Sequence, residues 1–131
     1  MDSRVRILVV DDMPAVRLIL RNMLEQAGLT NVAEAEDGET AWQIVRDSVG
    51  LEGQEIALVI SDWNMPGMSG MELLRAVRSG ARTRELPFLM LTAQGDRAHL
   101  DEALHGGVAE YVVKPLGPGV LAEKVTKLLK T

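Results

Sequence analysis

Apolar residues along this chain fall into two alternating patterns. Short runs at Val5-Arg6-Ile7-Leu8-Val9-Val10, Val32-Ala33-Glu34-Ala35, Leu58-Val59-Ile60, Pro87-Phe88-Leu89-Met90-Leu91 and Tyr111-Val112-Val113 predict strands. Most are nearly continuous rather than alternating, the signature of strands covered on both faces. Between them, apolar residues recur with helical spacing. Val16, Ile19, Leu20, Met23, Leu24 and Ala27 mark one face of a first helix that starts at Pro14 and stops at Gly28. Ala41, Trp42, Ile44 and Val45 mark a second helix after an Asp37-Gly38 turn, and Leu73, Leu74 and Val77 a third. A weaker fourth turns Leu100, Ala103 and Leu104 inward and ends at Gly106-Gly107. The last runs from about Gly119 through Leu121, Val125, Leu128 and Leu129. Residues 48–55, with Gly50 and Gly53, form the most loop-like stretch, and 78–85 is polar.

Five strands alternating with five helices predict an α/β domain, a doubly wound parallel sheet covered on both faces. In such sheets ligands sit beyond the carboxyl ends of the strands. The residues just past the apolar runs are Asp11-Asp12, Asp62, Thr92 and Lys114. Three acids, a hydroxyl and an amine are therefore expected to share one crevice. Taken alone, each has an ordinary explanation: Asp12 caps a helix, Lys114 pairs with an acid, Thr92 ends a strand, and Asp62 opens a turn with Asn64, Pro66 and Gly67. Their placement at successive strand ends favours a common site.

Composition narrows the chemistry. The 131 residues fit one domain, and 47% hydrophobic content is enough for a core. A net charge of −5 argues against non-specific nucleic-acid binding. No apolar run approaches the ~18 residues of a membrane span, and Met1-Asp2-Ser3-Arg4 leads into a strand without a signal core. Cysteine is absent, which removes disulfides and thiolate metal sites and makes a cytoplasmic location the expectation. Carboxylates held together repel unless a cation sits between them. Oxygen donors alone point to a hard cation, and Mg²⁺ suits a site with few protein oxygens that shares its shell with a phosphate. Asp62, flanked by the others, is the candidate nucleophile for an acyl phosphate.

Asp11-Asp12, Ser61-Asp62-Trp63-Asn64-Met65-Pro66, Thr92-Ala93 and Tyr111-Val112-Val113-Lys114-Pro115 together resemble the receiver domains of two-component response regulators, over nearly the whole chain. Within that family the Trp63-Asn64 pair, the Glu34-Ala35-Glu36-Asp37-Gly38 turn and the Tyr111–Pro115 ending resemble the single-domain chemotaxis regulators of the CheY type. The resemblance implies strand order 2-1-3-4-5, for which flavodoxin and CheY are themselves the standard examples. It also implies that Asp62 accepts a phosphoryl group from a histidine kinase. Asp12, Asp62 and the Asn64 carbonyl would bind Mg²⁺, with Asp11 acting through water. Thr92 and Lys114 would grip the phosphoryl oxygens, Tyr111 would be an aromatic switch turning inward as Thr92 moves, and Lys114-Pro115 would be a cis peptide.

Several positions depart from the chemotaxis pattern. Residues 48–55 are longer than usual and could extend the second helix; Gln94 stands where an acid is expected near the line of water attack; Asp96-Arg97 replaces a basic pair. His99 and His105 read as surface residues of the fourth helix. Other classes fit less well. A haloacid dehalogenase-type phosphatase needs an acid where Asn64 stands, and a calcium loop from Asp62 fails at Pro66 and at Leu73. In a flavodoxin-like electron carrier, Asp11-Asp12 would repel the phosphate. A binding module that is never phosphorylated should lack one of the acids or Lys114.

With the chain read as a receiver domain over 1–131 and no output domain, its signal should leave by protein contact. The expected surface is the fourth helix, Tyr111 and the last helix, with Arg97, Leu100, Leu104 and Lys124 as contact candidates. Expected partners are a CheA-like sensor kinase, a flagellar motor switch protein and a phosphatase. The runner-up is a stand-alone receiver in a non-motor phosphorelay, or a phosphate sink. The chain is expected to be a monomer.

Overall fold

The structure, a computed structural model, describes residues 5–63, 65, 67–92, 101, 104, 105, 107, 110–113 and 118–129. Five strands form one parallel sheet in the order β2-β1-β3-β4-β5. They are β1 (Arg6–Val10), β2 (Val32–Ala35), β3 (Ile56–Asp62), β4 (Phe88–Thr92) and β5 (Glu110–Val113). The described helices are α1 (Pro14–Gln26), α2 (Gly38–Ser48), α3 (Gly70–Ser79) and the C-terminal helix, here α4 (Pro118–Leu129). Asp101, Leu104 and His105, between β4 and β5, are also helical. The doubly wound architecture expected from the sequence is the one observed.

The apolar runs are buried for the reason their continuity suggested. The two-residue alternation of side chains sends neighbours in each strand to opposite faces, and both faces are covered. Leu8, Val10, Val59, Phe88 and Met90 pack with α2 and α3 residues such as Val45, Leu73, Leu74 and Val77. Ile7, Val9, Leu58, Ile60, Leu89 and Leu91 pack with Leu20 and Leu24 of α1 and Leu121, Val125 and Leu128 of α4.

Helix boundaries follow local chemistry. Pro14 opens α1, and Gly28 (φ 86°) closes it: the Gly28 and Leu29 amides donate to Glu25 and Leu24 carbonyls, the pattern of a left-handed helix stop. Asp37 caps α2 by accepting from the Thr40 amide at 2.7 Å, so Gly38 is the first helical residue rather than part of a turn. Ser69 and Glu72 form a reciprocal capping box at the start of α3.

Several expectations are corrected. Residues 48–55 do not extend α2, which ends at Ser48 with Val49 already in extended backbone. The buried Ser48 hydroxyl accepts from the Ile56 amide at 3.1 Å, tying the helix end to the start of β3, and turns fill the segment between. Ile19, expected on the buried face of α1, is 52% exposed, and Leu104, expected inward, is 57% exposed. The ordinary explanation of Asp12 as a helix cap, set aside above in favour of a common site, does not hold: Met13 is the capping residue of α1, and no side chain completes the cap.

Candidate functional site

Register decides which strand ends meet. Val10 lies opposite Ser61, so the next residues, Asp11 and Asp62, leave the sheet side by side. Asp62 in turn pairs with Leu91, which places Thr92 one step beyond on the adjoining strand. Asp11 continues the alternation of Ile7 and Val9, and Asp62 that of Leu58 and Ile60, so both carboxylates start toward the same face. Ligand oxygens of Asp11, Asp12 and Asp62 all lie within 4.8 Å of one another. Asp11 is buried, Asp62 half-buried and Asp12 exposed, so the cluster runs from the sheet edge outward.

Asp11 and Asp62 are braced by backbone. The Asp11 amide donates to the Ala35 carbonyl at 3.1 Å, continuing the β1–β2 ladder by one rung, and Asp11 Oδ1 accepts from the Met13 amide at 2.9 Å. Arg17, at the end of the first turn of α1, donates through Nη1 to the Asp11 carbonyl at 2.6 Å. Asp62 Oδ1 accepts from the Trp63 amide at 2.9 Å, and that amide also reaches the Leu91 carbonyl at 3.0 Å. The Ser61 hydroxyl donates to the Asp62 carbonyl at 2.9 Å.

The loop after β3 then folds back. Gly67 adopts φ 71°, a region glycine enters freely, and the Gly70 amide donates to the Trp63 carbonyl at 2.9 Å. A Cβ at position 70 would collide with the Asp62 carbonyl oxygen and lie 3.0 Å from Trp63 Cα. Only glycine lets the start of α3 press against the backbone that carries Asp62. Trp63 itself is 7% exposed and packs into the α2–α3 side of the core.

Among the expected site residues, the structure therefore gathers Asp11, Asp12 and Asp62. It sets Thr92, fully buried, at the end of the neighbouring strand. Tyr111 lies in β5 opposite Met90, and Lys124 is a half-buried residue of α4. Asn64, Lys114, Pro115, Gln94, Asp96, Arg97, His99 and Leu100 lie outside the described residues. The sequence reading missed Arg17 and Gly70. The Ser69-x-x-Glu72 spacing marks the start of α3, but the close approach of Gly70 to the Asp62 backbone is a tertiary contact that no local pattern encodes. The grip of Arg17 on a backbone carbonyl leaves no local pattern.

A cluster of carboxylates with no histidine or cysteine among the described groups can hold a hard cation, whose charge would offset their mutual repulsion. The position is also the one where doubly wound sheets bind ligands.

Comparison with known proteins places this arrangement. The family model for the response regulator receiver domain matches residues 7–126. The chain is 45% identical to the chemotaxis protein CheY of Pseudomonas aeruginosa over 125 residues, covering 95% of this chain and 96% of that protein. It is 40% identical to chemotaxis protein CheY1 of Helicobacter pylori, over 96% of this chain and 98% of the other. Among solved structures, the chemotaxis response regulator CheY4 of Vibrio cholerae superposes with a TM-score of 0.84 at 30% identity, over 95% of this chain and 98% of that one. The chain belongs to the response regulator receiver domain family, and it is CheY-like in both sequence and fold.

Proposed function

We propose that this receiver domain is a phosphorylation-dependent switch of a chemotaxis two-component system, acting in the cytoplasm, with Asp62 as phosphoacceptor. The observation that carries the reading is the acid cluster of Asp11, Asp12 and Asp62, with oxygens within 4.8 Å, at the carboxyl ends of β1 and β3. The donor set fits Mg²⁺: Asp11, Asp12, Asp62 and the Asn64 carbonyl would hold it. When bound, Mg²⁺ supplies a fixed positive charge against the charge on the phosphoryl oxygens.

The chain's own residues do the rest. A carboxylate oxygen of Asp62 forms a bond to phosphorus, and the phosphorus–nitrogen bond of a kinase phosphohistidine breaks. The imidazole keeps the electron pair and takes up a proton. Thr92 donates its hydroxyl and Lys114 its ammonium to the transferred group. Drawing Thr92 toward the phosphate frees room for Tyr111 and changes the surface formed by the β4–β5 helix, Tyr111 and α4. Arg97, Leu100, Leu104 and Lys124 then contact the target, a flagellar motor switch protein. The phosphodonor is a CheA-like sensor kinase, and a phosphatase accelerates loss of the group. The protein is a phosphoacceptor that assists its own phosphorylation and dephosphorylation, not an enzyme acting on separate substrates.

The test is labelling with a small radiolabelled phosphodonor in Mg²⁺. We expect one acid-stable, base-labile label per wild-type chain and none in Asp62→Asn. Label persisting in that variant removes Asp62 from the nucleophile role.

A further inference from the structure

We propose that Arg17 is a positioning residue for the metal site, holding the β1–α1 turn so that the Asp11–Asp12 pair meets Asp62. The proposal rests on reading the acid cluster as a Mg²⁺ site. The carbonyl that Arg17 Nη1 grips at 2.6 Å belongs to the peptide joining Asp11 to Asp12. Fixing that carbonyl fixes the plane of the peptide, and with it the direction in which Asp12 departs. On the other side of Asp11 the amide is held by Ala35 of β2 at 3.1 Å. Asp11 is thus clamped fore and aft, while the helix start beyond it has no side-chain cap of its own.

Arg17 is held in turn. Its Nε donates to Glu34 Oε1 at 2.9 Å, and the second Glu34 oxygen accepts from Arg21 Nη2 at 2.7 Å. Arg21 also donates to the Val32 carbonyl at 3.1 Å, which ties the chain of charges to the start of β2. The Arg17 side chain is 15% exposed, so its fork is largely shielded from competing water. A guanidinium suits this role because two donors at fixed separation serve acceptors on two elements, which an ammonium does not reproduce.

Charge alone and positioning differ in sign. A cation close to three carboxylates repels Mg²⁺, so on Coulomb grounds its removal tightens binding. If Arg17 instead orients the acids, its removal loosens binding. The measurement is Mg²⁺ affinity from Trp63 fluorescence in the full chain, with Trp42→Phe throughout so that Trp63 reports alone. Each variant's fold is checked by circular dichroism in chelator. We expect Arg17→Met and Arg17→Lys each to weaken Mg²⁺ binding on the order of tenfold, the usual effect of removing a partner that orients a metal ligand. Arg17→Lys keeps the charge and most of the stem, so a folded variant is available if Arg17→Met unfolds. Unchanged or tighter binding in Arg17→Met, or wild-type affinity in Arg17→Lys, overturns the proposal. No saturable Mg²⁺ response in the Trp42→Phe parent overturns the metal-site reading first, and this proposal with it.

Discussion

At the scale of single residues, the site depends on groups whose side chains take no part in the chemistry. Gly70 is there for what it lacks, since its missing Cβ is the space occupied by the Asp62 carbonyl. Asp37 illustrates the opposite case, a charge used locally. The Thr40 amide bound at 2.7 Å holds its carboxyl below the ordinary value of 3.8, with burial a minor opposing effect. Because the folded group titrates lower than the unfolded one, its stabilisation is present above the unfolded value and is lost as pH falls through the folded value. Asp37→Ala is therefore expected to cost about 1 kcal/mol near neutrality, typical of a lost helix cap. Comparing urea midpoints of the two proteins at several pH values should show the gap closing below about pH 4. A gap independent of pH would mean that the cap does not act through its charge.

At the scale of elements, long side chains tie helices to distant loops. Arg78, near the end of α3, donates to the Leu86 carbonyl at 2.6 Å and the Gly107 carbonyl at 2.8 Å. One guanidinium thus joins α3 to the approach to β4 and to the turn before β5. Burial lowers its pKa from the ordinary arginine value, a sign of the desolvation that the two carbonyls offset. Gly107 (φ 89°) sits so close that an added Cβ would lie 3.1 Å from Arg78 Nε. Arg78→Met keeps the stem but leaves both carbonyls without this donor. We expect a loss of about 2 kcal/mol in urea unfolding, the scale of charged hydrogen bonds. Amide exchange should quicken around residues 86 and 107 more than around β1. An equal rise everywhere would argue for global destabilisation instead of a local tie.

At the scale of the whole molecule, the Mg²⁺ proposed for the acid cluster would link the site to overall stability. A ligand that binds only the folded chain raises its stability by mass action, about 2.7 kcal/mol at a hundredfold excess over Kd. Thermal unfolding should shift upward with Mg²⁺, return on adding chelator, and lose the shift in Asp12→Ala; a shift surviving in that variant would place the ion elsewhere. Much of this molecule was legible before its structure. The sheet was readable because parallel strands buried on two faces leave continuous apolar runs, and the acid cluster because two of those runs lead into Asp11-Asp12 and Asp62. Spacing could not tell that Ile19 and Leu104 stay outside, since a helical stripe marks which residues could be buried, not which find cover. Arg17 and Arg78 escaped notice because their acceptors are backbone carbonyls, which every residue carries. The core itself is divided: the cluster under α2 and α3 and the cluster under α1 and α4 share no residue, and the sheet lies between them. Substitutions on the two flanks are therefore expected to act additively on stability, because no core residue belongs to both.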